Sequence, residues 1–208
     1  MVLNHLNKAI FVLFLLTSIS ANASILAGRD YRIAPGIPPA AKNQPIPVTE
    51  FFWYDCPHCY AIENQLVHWS KQLPKDVMFR HVPDPLGNWK PMAILYYTLQ
   101  DMGYGQRYHE AIFHATQVQK LTLENPSILS KWLTSKGINP TRFNSVSQSF
   151  GVHTQVNEAT QLALQYQVFE VPTFIVDNQY VTNMAMAKSK TRLFKILDAL
   201  IVKARTEK

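Results

Sequence analysis

The 208-residue chain holds only two cysteines, and they lie three positions apart, in Cys56-Pro57-His58-Cys59. A stapling framework uses several cysteines spread along a chain, because closing a long loop is what removes entropy from the unfolded state. Bridging neighbours a turn apart constrains almost nothing. The pair therefore reads as chemical, and the fold has to come from an apolar core. Hydrophobic residues make up 47% of the chain and charged residues 16%, a globular composition sufficient for one domain or for one domain with a sizeable insertion.

The first residues read as an address. Lys8 precedes the apolar run Ala9–Leu16, small residues follow at Ala21-Asn22-Ala23, and a signal peptide over residues 1–23 cleaved after Ala23 is expected. The run is too short for the roughly 20 apolar residues of a membrane-spanning helix, although an uncleaved anchor stays open. Removing Lys8 takes the formal charge from +6 to +5 (6 − 1 = 5). The basic residues form no run interleaved with aromatics, so nucleic acid is not an expected partner, while weak attraction to an anionic membrane surface is compatible with the charge. Export places the cysteines in an oxidising space where disulfides persist.

After a polar, Pro-rich lead-in at Ile33–Pro47, the aromatic segment Val48–Tyr54 predicts a buried strand. Ile62, Leu66, Trp69 and Leu73 then form the apolar stripe of a helix, and Val77–Val82 predicts a second strand. From Trp89 to about Tyr166 the signal is helix after helix. Asn125-Pro126 and Asn139-Pro140 each give an N-cap followed by proline at the first helical position, with Gly137 as a stop between them. Val152, Val156, Ala159, Ala163 and Tyr166 make the longest stripe. Strand character returns at Thr173–Val176, Asp177-Asn178 turns the chain toward a partner strand near Tyr180-Val181, and the tail is an amphipathic helix whose lysines read as a solvated face.

The order β-α-β, helical block, β-β-α resembles an α/β thioredoxin-like fold with an inserted all-helical domain. It divides the chain into a first thioredoxin-like segment at 24–88, the helical insertion at 89–166, and a second thioredoxin-like segment at 167–208. Glu50-Phe51-Phe52 leading into Cys56-Pro57-His58-Cys59-Tyr60, with Val171-Pro172 before a hairpin, resembles the DsbA family of periplasmic disulfide oxidases over nearly all of the mature chain. The resemblance implies a periplasmic protein that donates its Cys56–Cys59 disulfide to newly exported proteins bearing reduced cysteines. It also implies re-oxidation by a quinone-linked membrane oxidoreductase of the DsbB type. A monomer is expected, and neither a cofactor nor a metal is called for.

The chemistry suits the position. Residues i and i+3 of a helix stack on one face with β-carbons roughly 5–6 Å apart, so modest adjustment lets their sulfurs bond. At the helix start Cys56 is expected to face solvent as the nucleophile, with Cys59, one turn in, as the covered resolving thiol. First-turn N–H groups and the helix dipole place roughly half a positive charge beside the Cys56 sulfur and stabilise its anion. That favours the reduced form and makes the disulfide a stronger oxidant. Pro57 loses no hydrogen bond in the first turn, and His58 adds positive charge or a donor. Asp55, next to Cys56, opposes the thiolate.

Glu50 sits in an aromatic strand, where an ionised carboxylate is costly, so it is expected to be protonated or to share its proton; a partly exposed strand-edge residue is the plainer alternative. By resemblance, Glu50 assists proton transfer at Cys59, with Arg80 its nearest candidate basic partner. By resemblance too, Val171-Pro172 matches the cis-proline loop facing the cysteines, with Val171 and Thr173 flanking a docking site for an extended substrate chain.

Other readings stay open. Half of a zinc site lacks a second Cys-x-x-Cys, and His109 and His114 on one helix point about 140° apart. A disulfide isomerase or reductase works with the pair kept reduced and benefits from dimerisation, for which no preceding segment is seen. A non-catalytic chaperone or binding module could use the aromatic surface near Trp53 and Tyr54.

Overall fold

The computed structural model describes residues 25–207; the expected leader and its cleavage after Ala23 lie outside the described residues. In chain order the strands are β1 (Arg32–Ile33), β2 (Ile46–Phe52), β3 (Val77–Pro83), β4 (Thr173–Val176) and β5 (Tyr180–Asn183). They form one sheet in the order β1-β5-β4-β2-β3, with β2 and β3 parallel and the other pairs antiparallel. Helix α1 (Pro57–Lys71) crosses from β2 to β3. Five helices separate β3 from β4: α2 (Lys90–Asp101), α3 (His109–Gln117), α4 (Pro126–Ser135), α5 (Pro140–Ser147) and α6 (Phe150–Gln165). A short α7 (Met184–Ala187) and α8 (Lys190–Glu207) follow β5. The fold is thioredoxin-like, with helices inserted between β3 and β4.

The period of two along β2 decides what each side chain meets. Val48 packs with Ile62 and Leu66 of α1 and with Leu193, Leu197 and Leu200 of α8. Phe51 points the other way, onto Ala159, Ala163 and Tyr166 near the end of α6. Burying an aromatic such as Phe51 contributes about 2–3 kcal/mol, so the central strand is held from both faces. Glu50 and Phe52 share the face of Val48, which brings the carboxylate beneath the start of α1.

The turns follow local chemistry. The Asn125 side chain accepts from the N–H groups of Ser127 and Ile128, and that of Asn139 from Arg142 N–H, so each caps a helix begun by proline. Gly137 takes φ +72° where α4 ends. Asp177 and Asn178, at φ +53° and +60°, make the primed turn that matches hairpin twist.

Two strand boundaries differ from the sequence reading. Strand β2 covers Ile46–Phe52 in place of the expected Val48–Tyr54, because the chain turns at Trp53, whose carbonyl accepts from Cys56 N–H at 3.0 Å. Pro47 falls near the start of the strand, where proline is tolerated. Strand β1 is not among the expected elements and overlaps the segment read as lead-in only at Ile33; two residues are too few for a pattern to register. Among the described residues, no helix is long and apolar enough to cross a membrane.

Candidate active site

The turn after β2 places Cys56 as the N-cap of α1, in extended conformation, with Pro57 beginning the helix. The Cys56 Sγ accepts from Cys59 N–H at 3.4 Å and donates to the Val171 carbonyl at 3.3 Å. The Val171–Pro172 peptide is cis. Both cysteines are free thiols.

The two thiols are made unlike by their surroundings. A hydrogen bond from the Cys59 thiol is the largest influence lowering Cys56; burial opposes it, the backbone N–H groups of Cys59 and His58 add to it, and the Glu50 charge opposes it. The net result brings Cys56 from 9.0 down to about 7. Cys59 is fully enclosed, and burial first, then its hydrogen bond to Cys56, pushes it well above the ordinary thiol range. One sulfur is thus prepared as an anion and the other kept protonated.

Glu50 is only 1% exposed and takes a 2.6 Å hydrogen bond with His81 Nδ1. Burial raises the carboxyl pKa of Glu50. At His81 burial is the largest single influence and lowers the pKa, but the hydrogen bond to Glu50 together with the charges of Glu50 and Glu63 overcomes it and leaves the ring raised, so the pair readily holds a proton between them. The charge of Glu50 acts on both sulfurs. Beneath them lies an aromatic cluster: Phe52 meets Tyr54 at 4.9 Å between ring centroids, His109 at 5.0 Å and Phe113 at 5.8 Å. It fixes the turn on which Cys56 sits.

The chain thus brings together two thiols at a helix start, a cis-proline loop against the Cys56 sulfur and a buried carboxylate whose charge acts on both sulfurs. Residues 47–200 match the family model described as the DSBA-like thioredoxin domain. The chain belongs to that family. The thiol:disulfide interchange protein DsbA of Pseudomonas aeruginosa is 36% identical over 180 residues, covering 86% of this chain and 85% of that protein. DsbA of Azotobacter vinelandii is 35% identical over 185 residues, covering 88% and 86%. The crystal structure of Pseudomonas aeruginosa DsbA superposes with a TM-score of 0.81 at 35% identity, over 88% of this chain and 96% of that one. The chain is accordingly a DsbA-type thiol:disulfide oxidoreductase.

Within this DsbA frame the sequence-predicted residues fall unevenly. Cys56, Pro57, Cys59, Glu50, Val171 and Pro172 converge. His58 is exposed on the rim. Cys56, expected at an open surface, is only 6% exposed, because the Val171 loop packs against the cysteine cluster. Thr173 does not flank an open site: its hydroxyl donates to the Glu170 carbonyl at 2.6 Å and it lies buried in register with Phe51 and Asn183. It secures the loop. Asp55 is exposed and accepts from Gln117 Nε2 at 3.4 Å.

Arg80 is not the partner of Glu50. The β2–β3 register sets Arg80 opposite Thr49, whose Oγ1 accepts from Arg80 Nε at 3.0 Å, and His81 opposite Glu50. The sequence reading also misses Glu63, Tyr54 and His109 as members of the neighbourhood; His109 Nδ1 lies 2.8 Å from the Tyr54 hydroxyl. Tyr54 and Glu63 lie close to the cysteines in sequence, but nothing local says that they meet His109, which stands on a separate helix and carries no mutual signal with them until the chain folds.

Proposed function

We propose that Cys56 is the sulfur exchanged with substrate and Cys59 the resolving thiol. A substrate thiolate attacks Cys56 Sγ of the disulfide form; the Cys56–Cys59 bond breaks and its electron pair goes to Cys59 Sγ. Glu50, sharing a proton with His81, supplies the proton that Cys59 takes up. A second substrate thiolate then attacks the substrate sulfur of the mixed disulfide and expels Cys56 as a thiolate. The two substrate thiolates lose two electrons in becoming a disulfide; the protein takes them up as the Cys56 thiolate and the protonated Cys59, and the proton given up by Glu50 and His81 is replaced by one released when the substrate thiols ionise. A lowered thiol pKa makes Cys56 the better leaving group in that last step.

Pro57 lets the helix start at no cost in hydrogen bonds, and His58 stands exposed at the rim, where its ring can offer an N–H to an approaching substrate. Val171 and Pro172 offer the edge on which an extended substrate chain lies, with Thr173 holding that edge in place. The substrates are exported proteins with reduced cysteines, the compartment is the periplasm, and a membrane quinone oxidoreductase of the DsbB type removes the two electrons. The chain acts as a monomer.

The observation that carries this reading is the opposed tuning of the two thiols, Cys56 down to about 7 and Cys59 up, with Cys56 alone against the loop. The test is oxidation of a reduced, cysteine-containing protein by the disulfide form, followed by mass spectrometry of complexes trapped with Cys59→Ser. Substrate linked through Cys56 is the expected product. Turnover that survives Cys56→Ser would overturn the assignment.

A further inference from the structure

Behind the redox pair, α1, β3, α2, α3 and α6 enclose a groove of ≈ 720 Å³. At its floor Glu63, His81 and His109 each present one ligand atom, and these lie within 4.8 Å of one another. Glu63 and His109 are 4% exposed, and His109 Nε2 is buried with no hydrogen-bond partner, 3.5 Å from Glu63 Oε1. An orphan ring nitrogen at the closed end of an open groove is what an unfilled ligand position looks like.

We propose that Glu63, His81 and His109 form a site for a divalent transition metal, with Zn²⁺ the best match. Two imidazoles and a carboxylate, with a fourth position open to water, is a zinc donor set. Bonds of about 2.1 Å in a tetrahedron hold ligand atoms roughly 3.4 Å apart. The Glu63–His109 edge, at 3.5 Å, nearly has that length, and the edges to His81, none longer than 4.8 Å, close by at most roughly 1.4 Å.

The surroundings supply what a bare cluster lacks. His81 Nδ1 is held by the Glu50 carboxylate, which leaves Nε2 for a metal, as in carboxylate–histidine–zinc triads. His109 Nδ1 is held by the Tyr54 hydroxyl; with Nδ1–H donating there, the lone pair falls on Nε2. Both rings are therefore oriented from behind. The groove beyond also exposes Glu110, Gln106 and Gln155, polar groups along which a hydrated ion can approach. Because Glu50 holds His81 and its charge also acts on both sulfurs, a metal bound here is coupled to the cysteine pair through that carboxylate.

The test uses the full-length mature protein carrying Cys56→Ser and Cys59→Ser, so that no thiol competes, stripped with chelator and titrated with Zn²⁺ against a chromophoric chelator. One equivalent is expected to bind. Glu63→Gln and His109→Gln are each expected to weaken binding at least about 10-fold, and Glu50→Gln about 10-fold through His81. His114→Gln and His153→Gln, both exposed, serve as controls and leave it unchanged. Circular dichroism checks that each variant is folded. Independently of variants, Co²⁺ is expected to give ligand-field absorption that one equivalent of Zn²⁺ abolishes. Binding no tighter than that of the exposed histidines, or equal affinity in Glu63→Gln and His109→Gln, would show a proton-sharing cluster only and overturn the proposal.

Discussion

Cys59→Ala isolates the largest influence on Cys56. The Cys59 thiol donates the hydrogen bond that does most to stabilise the Cys56 anion, while the N–H groups of His58 and Cys59 remain in the variant. A hydrogen bond to a charged group contributes about 1.5–3 kcal/mol, and one pKa unit is about 1.4 kcal/mol, so its loss raises Cys56 by roughly one to two units. From about 7 that moves it to the ordinary thiol range, and at neutral pH the thiolate fraction falls from about half to about a tenth or less. Cys59→Ser keeps an O–H donor at the same place and is expected to titrate within about half a unit of the parent. Each variant has a single cysteine, so ultraviolet thiolate absorbance followed against pH reports Cys56 alone. A Cys59→Ala protein still half ionised near neutral pH would refute the reasoning and assign the effect to the helix start by itself.

Three further outcomes follow from the same contacts. Because the folded pKa of Cys56 is depressed from 9.0 to about 7, its contribution to the reduced protein is present above the unfolded value and lost as pH falls through the folded one. Reduced protein should therefore gain stability over oxidised between about pH 7 and 9, by at most about 2.7 kcal/mol and by less after solvent screening, and lose it again at higher pH, where Cys59 ionises in the unfolded chain but stays protonated when enclosed; parallel urea titrations of the two forms check it. Phe113→Ala empties space among Phe52, Tyr54 and His109 and should cost about 3–5 kcal/mol, read as a lower urea midpoint at unchanged slope. Asn125→Ala removes two acceptor contacts at the start of α4 and should cost about 1 kcal/mol in the same titration, with Asn125→Asp restoring most of it.

What the sequence makes legible is what local chemistry specifies. The Cys-x-x-Cys spacing, the Asn-Pro helix starts and the Asp177-Asn178 turn each act within a few residues, and each stands in the structure where its neighbours put it. The partner of Glu50 is beyond reach for a physical reason. Strand register is a tertiary property, and a slip of one residue exchanges Arg80 for His81 on the face below α1. The same limit hides the Glu63–His81–His109 cluster, assembled from α1, β3 and α3. It also hides the covered state of Cys56, which depends on a loop 115 residues away. Thr173 departs from its expected place because adjacency to Pro172 says nothing about which way a strand residue faces.

The most direct test of the opposed tuning is alkylation of the reduced protein across a range of pH, with the label on each cysteine read separately by peptide mass spectrometry. Cys56 is expected to be half reactive near pH 7, and Cys59 to stay unlabelled well into alkaline conditions. Equal labelling of both, or a Cys56 that reacts only where an ordinary thiol ionises, would contradict it.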